Sequence, residues 1–444
     1  MSVNRRNLFK AAGGGAAWLM TAPYVAFARR QDSAQVNEVV LSQAQERIEK
    51  NRKGNVVLKI LGPDGQPLPS GVDLRIRQMR HKFLFGCNIF RLGRCRTPED
   101  NAAYAEQFAR LLNFATLPFY WWQYERQKGR PMDARTDEIV RWCKDHQVAT
   151  KGHPLAWNYI DPPWLSGTPE EIMQQQFERI ARCMERFKGD IGIWDVVNEA
   201  THYDREELKR NSPKLTEAIA RTGVGEYVRG AFQIARKADP TAKLIINDYR
   251  TDAAYAEKVI SQLVDADQRR LYDIIGVQSH MHGGYWGAAQ TWAVCERFAG
   301  FEVPLHFTEA TVVSGPKLDS SWTTTPEGEE RQAQQVAEFY TMLFSHPAVE
   351  AITWWDFSDQ DAWQQAPAGL VRSDMSPKPA YERLHELIKG KWWTRAEIRT
   401  QAEASVPFDG FLGDYEVETR QGDRQLTGRF VLDRAPATLD VRLA

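Results

Sequence analysis

The sequence predicts an α/β protein, a (β/α)8 barrel of the TIM type with a small β-rich accessory region formed by its N- and C-terminal flanks. Three observations predict it. Between roughly residues 81 and 390, eight short apolar runs of β type alternate with longer helical patterns, as parallel strands with crossover helices require. No glycine-rich nucleotide fingerprint accompanies them, which favours a closed barrel over a doubly wound sheet. On either side of this stretch the pattern changes to two-residue alternation broken by tight-turn residues. Length agrees, since 444 residues exceed the about 250 of a simple barrel and leave room for additions.

The chain opens with an address. "NRRNLFK" sets Arg5 and Arg6 ahead of Leu8, Phe9 and Lys10, and the weakly apolar "AAGGGAAWLMTAPYVAFA" then ends in the A-x-A pattern Ala26-Phe27-Ala28. Residues 1–28 therefore read as a twin-arginine export signal cleaved after Ala28, which predicts a periplasmic or extracellular mature chain. A membrane anchor is the weaker reading, because the run is short, glycine-rich and followed by Arg29 and Arg30. Residues 29–53 are polar, with apolar positions at Val36, Val39, Val40, Ala44 and Ile48, the pattern of a surface helix or linker.

Residues 54–80 alternate around a Pro-Asp-Gly turn in "NVVLKILGPDGQPLPSGVDLRIRQM", and residues 391–444 do the same in "FDGFLGDYEVETRQGDRQLTGRFVLD". The two flanks are expected to form a small sandwich, either a sugar-binding module or a structural brace, and the brace is favoured because each flank alone is too short for an independent core. Between them, in residues 81–390, the eight runs are "KFLFGC", "LNFATL", "QVATKG", "IGIWDVV", "KLIIND", "DIIGVQS", "PLHFTE" and "AITWWDF". One intervening helix can be read in detail. "TPEEIMQQQFERIARCMERF" starts with Thr168 three residues before Glu171 and with Pro169 in the first turn, a capping box, and puts Phe177, Ile180, Met184 and Phe187 on one face.

Composition excludes several classes of partner. Lys+Arg 57 against Asp+Glu 58 leaves a net charge of -1, so no broad basic surface is available for nucleic acid or anionic lipid. No later segment is apolar enough to span a bilayer. Cys87, Cys95, Cys143, Cys183 and Cys295 are odd in number, dispersed and without a CxxC pair, which argues against a disulfide framework or a metal cluster. The 15 tryptophans serve either core packing or ligand stacking.

The polar residues that close the eight runs form a set: His153, Asn198, Glu199, Asn247, Asp248, Gln278, His280, Glu309 and Asp356. In a barrel the C-terminal ends of the strands line the active site. Glu199 ends the fourth run and Glu309 the seventh, so the two carboxyl groups can face each other across the mouth. Glycoside hydrolysis needs such a pair, one group to protonate the leaving oxygen and one to meet the cationic sugar carbon. Glu199, beside Trp194 and Val197 in sequence, is expected to be desolvated and to serve as the acid; Glu309, after Thr308, is expected to be held ionised.

These residues resemble glycoside hydrolase family 10, the retaining β-1,4-xylanases and their relatives. "WDVVNEA" resembles the acid/base motif and "LHFTEA" the nucleophile motif, with "GHPLAWN", "NDYR", "GVQSHMH", "WWDFSDQDAW" and "SPKPAY" in the family's order over roughly residues 83 to 388. The resemblance implies Glu199 as general acid/base and Glu309 as nucleophile. It further implies Asn198 on the sugar 2-hydroxyl, His280 orienting Glu309, His153, Trp157 and Gln278 lining the reacting subsite, and Trp355 and Trp363 covering the ring. It implies neither cofactor nor metal. A retaining mechanism requires carboxyl groups roughly 5.5 Å apart.

The chain also departs from the pattern. The family's Glu-Asn-x-x-Lys-Trp stretch after the second strand, which grips sugars on the non-reducing side, is replaced by "FATLPFYWWQYE", leaving Phe119, Tyr120, Trp121 and Trp122 as stacking candidates. Asn158 stands where a second histidine is usual, and Ala310 where Leu-Asp follows the nucleophile. The flanking subsites are therefore expected to be rebuilt around an intact centre. The leading expectation is a secreted endo-1,4-β-xylanase-like glycosidase taking xylan, xylo-oligosaccharide or another β-glycoside. The alternatives are a β-glycosidase acting on a non-xylan glycan or glycoside through the aromatic pocket, and a non-catalytic carbohydrate-binding barrel. A metal-dependent hydrolase using His153, Asp248, His280 and His282 is the weakest reading, with His282 taken as a satisfied loop histidine.

Overall fold

The computed structural model describes residues 37–434 and 437–444. The export signal read in residues 1–28, and the start of the segment after it, lie outside the described residues. Eight parallel strands close into a barrel: β1 (Leu84–Asn88), β2 (Phe114–Pro118), β3 (Ala149–His153), β4 (Ile193–Asn198), β5 (Lys243–Asp248), β6 (Ile274–Met281), β7 (Leu305–Val312) and β8 (Val349–Trp354). They run in sequence order, and β8 closes on β1 with Ala351 beside Leu84 and Trp354 beside Cys87.

These strands are almost continuously buried, β7 along its whole length, because the barrel interior covers one face and helices the other. That two-sided burial is why they read as apolar runs rather than alternating ones. Close packing sets individual residues as well: a side chain at Gly152 on β3 would meet the Trp194 ring on β4 at 2.2 Å. Among the described residues no helix is long and apolar enough to cross a membrane.

The helix Pro169–Arg186 carries the capping box read from sequence, with Thr168 Oγ1 accepting the Glu171 amide at 3.3 Å and Glu171 Oε2 accepting the Thr168 amide at 2.8 Å. Its buried face differs from the apolar stripe. Phe177 is half-buried, whereas Gln176 and Arg179 are buried and donate to the carbonyls of Leu155 and Phe119. The helix thereby holds the loops that follow β2 and β3.

The flanks interleave into two further sheets. Lys53–Leu61 lies between Ser405–Phe411 and Thr438–Arg442, and Asp73–His81 lies between Arg395–Arg399 and Gly413–Gln421, with Arg424–Leu432 at the edge. Leu58, Ile76, Val406, Val417 and Leu432 form a core between them, separate from that of the barrel. The joint with the barrel lies at the start of β1 and β8, the end opposite the mouth. There Trp392 stacks on Phe344 with centroids 4.3 Å apart, and Arg52 donates to the carbonyls of Phe344, His346 and Val349 at 2.5, 2.5 and 2.8 Å. All five cysteines are free, four of them buried.

Candidate active site

In a regular strand consecutive side chains point to opposite faces. At the mouth of this barrel that alternation breaks twice. Glu199, just past β4, has the left-handed backbone φ 54°, ψ 39°, uncommon outside glycine, so that Asn198 Oδ1 and Glu199 Oε1 both accept from the Gln278 amide, at 3.1 and 3.2 Å. On β7 the pairing with β6 slips between Val277 and Gln278. Thr308 Oγ1 and Glu309 Oε1 then both reach Asn247, at 2.5 and 2.8 Å. Such irregularities aim neighbouring side chains into one space.

The Asn247 amide also donates to Asn198 Oδ1 at 2.7 Å, so Gln278, Asn198 and Asn247 connect Glu199 to Glu309 in a single hydrogen-bond network. The two carboxyl groups nevertheless differ. Burial pushes Glu199 up to about 7 against the pull of Arg205, whose Nη2 lies 2.8 Å from Oε2, and the negative charge of Glu309 adds to the rise. Burial pushes Glu309 up too, but His153, the His280 hydrogen bond and Lys151 together outweigh it and hold the group below its ordinary value. His280 Nε2 is 3.1 Å from Glu309 Oε2, and His153 Nε2 is 3.8 Å from Oε1. Asp195 orients this edge, taking His153 Nδ1 at 2.7 Å and Lys151 Nζ at 2.6 Å in full burial.

Aromatic rings complete the walls. Trp355 meets His153 and His280 edge-on at 5.3 and 5.9 Å, and Trp363, 40% exposed, packs against His280 at 4.6 Å. Trp157 stacks on Tyr159 at 4.4 Å and leans on Tyr120, which abuts His153 at 5.5 Å. The structure thus brings together Glu199, Glu309, His153, Trp157, Asn198, Gln278, His280, Trp355 and Trp363. Asp248 is committed elsewhere, accepting from the Thr201 hydroxyl at 2.7 Å and the Arg250 amide at 3.1 Å.

Residues 82–387 match glycosyl hydrolase family 10. The chain belongs to that family. It is 25% identical over 396 residues to endo-1,4-beta-xylanase 1 of Arabidopsis thaliana, covering 85% of this chain and 38% of the plant protein. It is 30% identical over 283 residues to endo-1,4-beta-xylanase 3 of Hypocrea jecorina, covering 61% of this chain and 73% of the fungal one. Xylanase 10B of Thermotoga petrophila RKU-1, solved in complex with xylobiose, superimposes with a TM-score of 0.58 at 25% identity over 70% of this chain and 95% of that one. The chain spans between 34% and 49% of the length of the first curated relatives it matches.

For a family 10 chain, five details depart from the sequence reading or were missing from it. Of the four aromatic candidates after β2, Phe119 and Trp121 belong to the core, and only Tyr120 and Trp122 border the site. Asn158 is a buried strut that donates to Tyr203 O and Thr216 Oγ1, both at 2.8 Å. His282 is not a satisfied loop histidine: its Nε2 is buried without a partner between Trp363 and Trp322, and burial lowers it to about 4. Arg205 has no sequence signal, because nothing in a charged loop six residues past Glu199 distinguishes it. The Asp195–Lys151 pair did leave a signal, since a charge inside an apolar strand has to find a partner.

Proposed function

We propose that this chain is a retaining β-glycosidase, with Glu309 as nucleophile and Glu199 as general acid and then general base. The observation that carries the reading is the split in proton affinity between two carboxyl groups joined by one network: Glu199 is raised to about 7 and Glu309 is held low. At neutral pH one group has a proton to give while the other is anionic, as the two steps of double displacement require. Glu309 attacks the anomeric carbon while Glu199 protonates the departing oxygen; Glu199 then deprotonates the water that releases the sugar. Asn198 and Asn247 fix the carboxyl groups, and His280 steadies the nucleophile.

A β-1,4-linked xylan or xylo-oligosaccharide is the default substrate, supported by the family and by the xylanases the chain resembles. Tyr120, Trp122, Trp157 and Tyr159, ranged along one side, favour as a second reading a glycan or glycoside recognised more by ring faces than by hydrogen bonds. Export by the twin-arginine route is supported by Arg5, Arg6 and the segment ending at Ala28.

The test is a panel of aryl β-xylosides, aryl β-glucosides and plant polysaccharides with wild type, Glu309→Ala and Glu199→Ala. Glu309→Ala should lose turnover on every substrate. Glu199→Ala should lose about 10²- to 10⁴-fold on substrates with poor leaving groups and much less on activated aryl glycosides. Equal, mild losses in both variants would contradict the assignment.

A further inference from the structure

A second cavity, of about 160 Å³, adjoins the turn that follows the proposed proton donor, and none of the residues gathered at the mouth lines it. One wall is Ala200 and Thr201, the two residues after Glu199. Thr201 is fixed there, since its hydroxyl and its amide both donate to Asp248 Oδ2, at 2.7 and 3.3 Å. The other walls are largely apolar. Val224 and Val228 come from the helix Val224–Ala238, and Val259 and Leu263 from the chain that follows the helix Ala253–Lys258. Val228 and Leu263 are buried, while Val224 stays exposed.

Size and charge together indicate the occupant. A cavity of about 150 Å³ lined by apolar side chains holds one benzene ring, so this one has room for a single aromatic ring. A sugar ring suits it poorly, because its hydroxyls would lie against valine and leucine while the Thr201 hydroxyl is already committed. Two charged residues line the cavity, Arg229 and Lys258, and both are cations. Arg229 pairs with Glu226 in its own helix, whereas Lys258 forms no ion pair among the described residues. An apolar interior with a positively charged edge complements a flat ring that ends in a carboxylate.

We propose that this cavity binds a small aromatic carboxylate, its ring against Val228, Val259 and Leu263 and its carboxylate toward Lys258 and Arg229. A ligand seated there packs against the turn that carries Glu199 without entering the mouth. It is an effector site and not a substrate site, and the binding itself does not depend on the glycosidase reading.

The experiment titrates the full chain with benzoate, benzamide and acetate, followed by saturation-transfer NMR. Benzoate should bind with a Kd of about 0.1–10 mM, the range open to so few heavy atoms. Benzamide, the ring without the charge, should bind about 5- to 10-fold more weakly, and acetate, the charge without the ring, should not displace benzoate. Val228→Trp should abolish benzoate binding. Lys258→Gln and Val224→Glu probe the same site from exposed positions that leave the core intact; each should weaken benzoate about two- to fivefold and leave benzamide unchanged. Trp355→Ala, in the mouth, should leave benzoate binding as it was. Thermal melts identify any variant that fails to fold, and benzoate should raise the melting temperature of wild type but not of folded Val228→Trp. Absence of binding, binding that Lys258→Gln, Val224→Glu and folded Val228→Trp all leave unchanged, binding lost with Trp355→Ala, or benzamide as tight as benzoate overturns the proposal. On an aryl glycoside that the chain turns over, benzoate should leave KM unchanged; competitive inhibition would put it in the mouth and overturn the proposal too. Only that arm rests on the glycosidase reading, so a chain inactive on every glycoside would sink that reading and leave the titrations to decide this one.

Discussion

Glu199 and Glu309 are the same residue type placed in one hydrogen-bond network, so their difference has to come from what lies beyond it. Glu309 faces His153 and His280 with Lys151 behind them, whereas Glu199 has burial and the charge of Glu309 set against one arginine. The consequence is a bell-shaped pH profile. As pH rises through about 7, Glu199, the proposed acid, loses its proton and kcat/KM should fall; at acid pH Glu309, the proposed nucleophile, is protonated, at a value below that of an ordinary glutamate, and kcat/KM should fall again. Arg205 favours the ionised form of Glu199 and so lowers the upper limb. Arg205→Ala should therefore shift that limb to higher pH and leave the lower limb in place. A pH series of kcat/KM on one aryl glycoside checks this, and an upper limb that stays fixed or moves down would show that Arg205 does not tune the acid. The identity of the two glutamates was legible because each ends or interrupts an apolar strand. Arg205 was not, because its effect depends on a loop conformation with no local sequence signature.

Among the elements, the helix Pro169–Arg186 links stability to the site. Its cap is local, and its two buried polar side chains are not: Arg179 and Gln176 hold the carbonyls of Phe119 and Leu155, next to Tyr120 and Pro154. Thr168→Ala should cost about 1 kcal/mol by removing the side chain that accepts the Glu171 amide, with KM unchanged. Arg179→Leu should cost more, about 2–5 kcal/mol, since it takes the side-chain donor from the Phe119 carbonyl and one of two from the Leu155 carbonyl, and should raise KM because the loops carrying Tyr120 and Trp157 lose their anchor. Urea titrations with steady-state kinetics distinguish the two; an Arg179→Leu enzyme with unchanged KM would separate the helix from the site. The cap could be read from sequence since its signals lie three residues apart. The buried polar face could not, because an apolar pattern assigns Gln176 and Arg179 to solvent. For the same reason four aromatics after β2 looked equivalent until packing drew Phe119 and Trp121 inward.

At the scale of the molecule, the mouth and the sandwich sit at opposite ends of the barrel, and this separates catalysis from bracing. The eight strands were legible because burial on both faces makes them continuous apolar runs. The pairing of the flanks was not, since strand alternation specifies a face and not a partner, and Lys53–Leu61 finds Ser405–Phe411 across nearly the whole chain. That pairing makes the two ends of the sequence interdependent. Leu58, fully buried between Val406 and Leu439, packs in a core shared by both flanks. Leu58→Ala should therefore cost about 2–5 kcal/mol in global stability. The loss reaches the barrel through the joint around Arg52, Trp392, Phe411 and Phe344, at the starts of β1 and β8, and the carboxyl network lies at the other end. At temperatures where the variant stays folded, kcat and KM should match wild type while the denaturation midpoint falls. A kcat/KM that dropped in fully folded protein would mean that the sandwich shapes the mouth, and the separation argued from the two cores would fail.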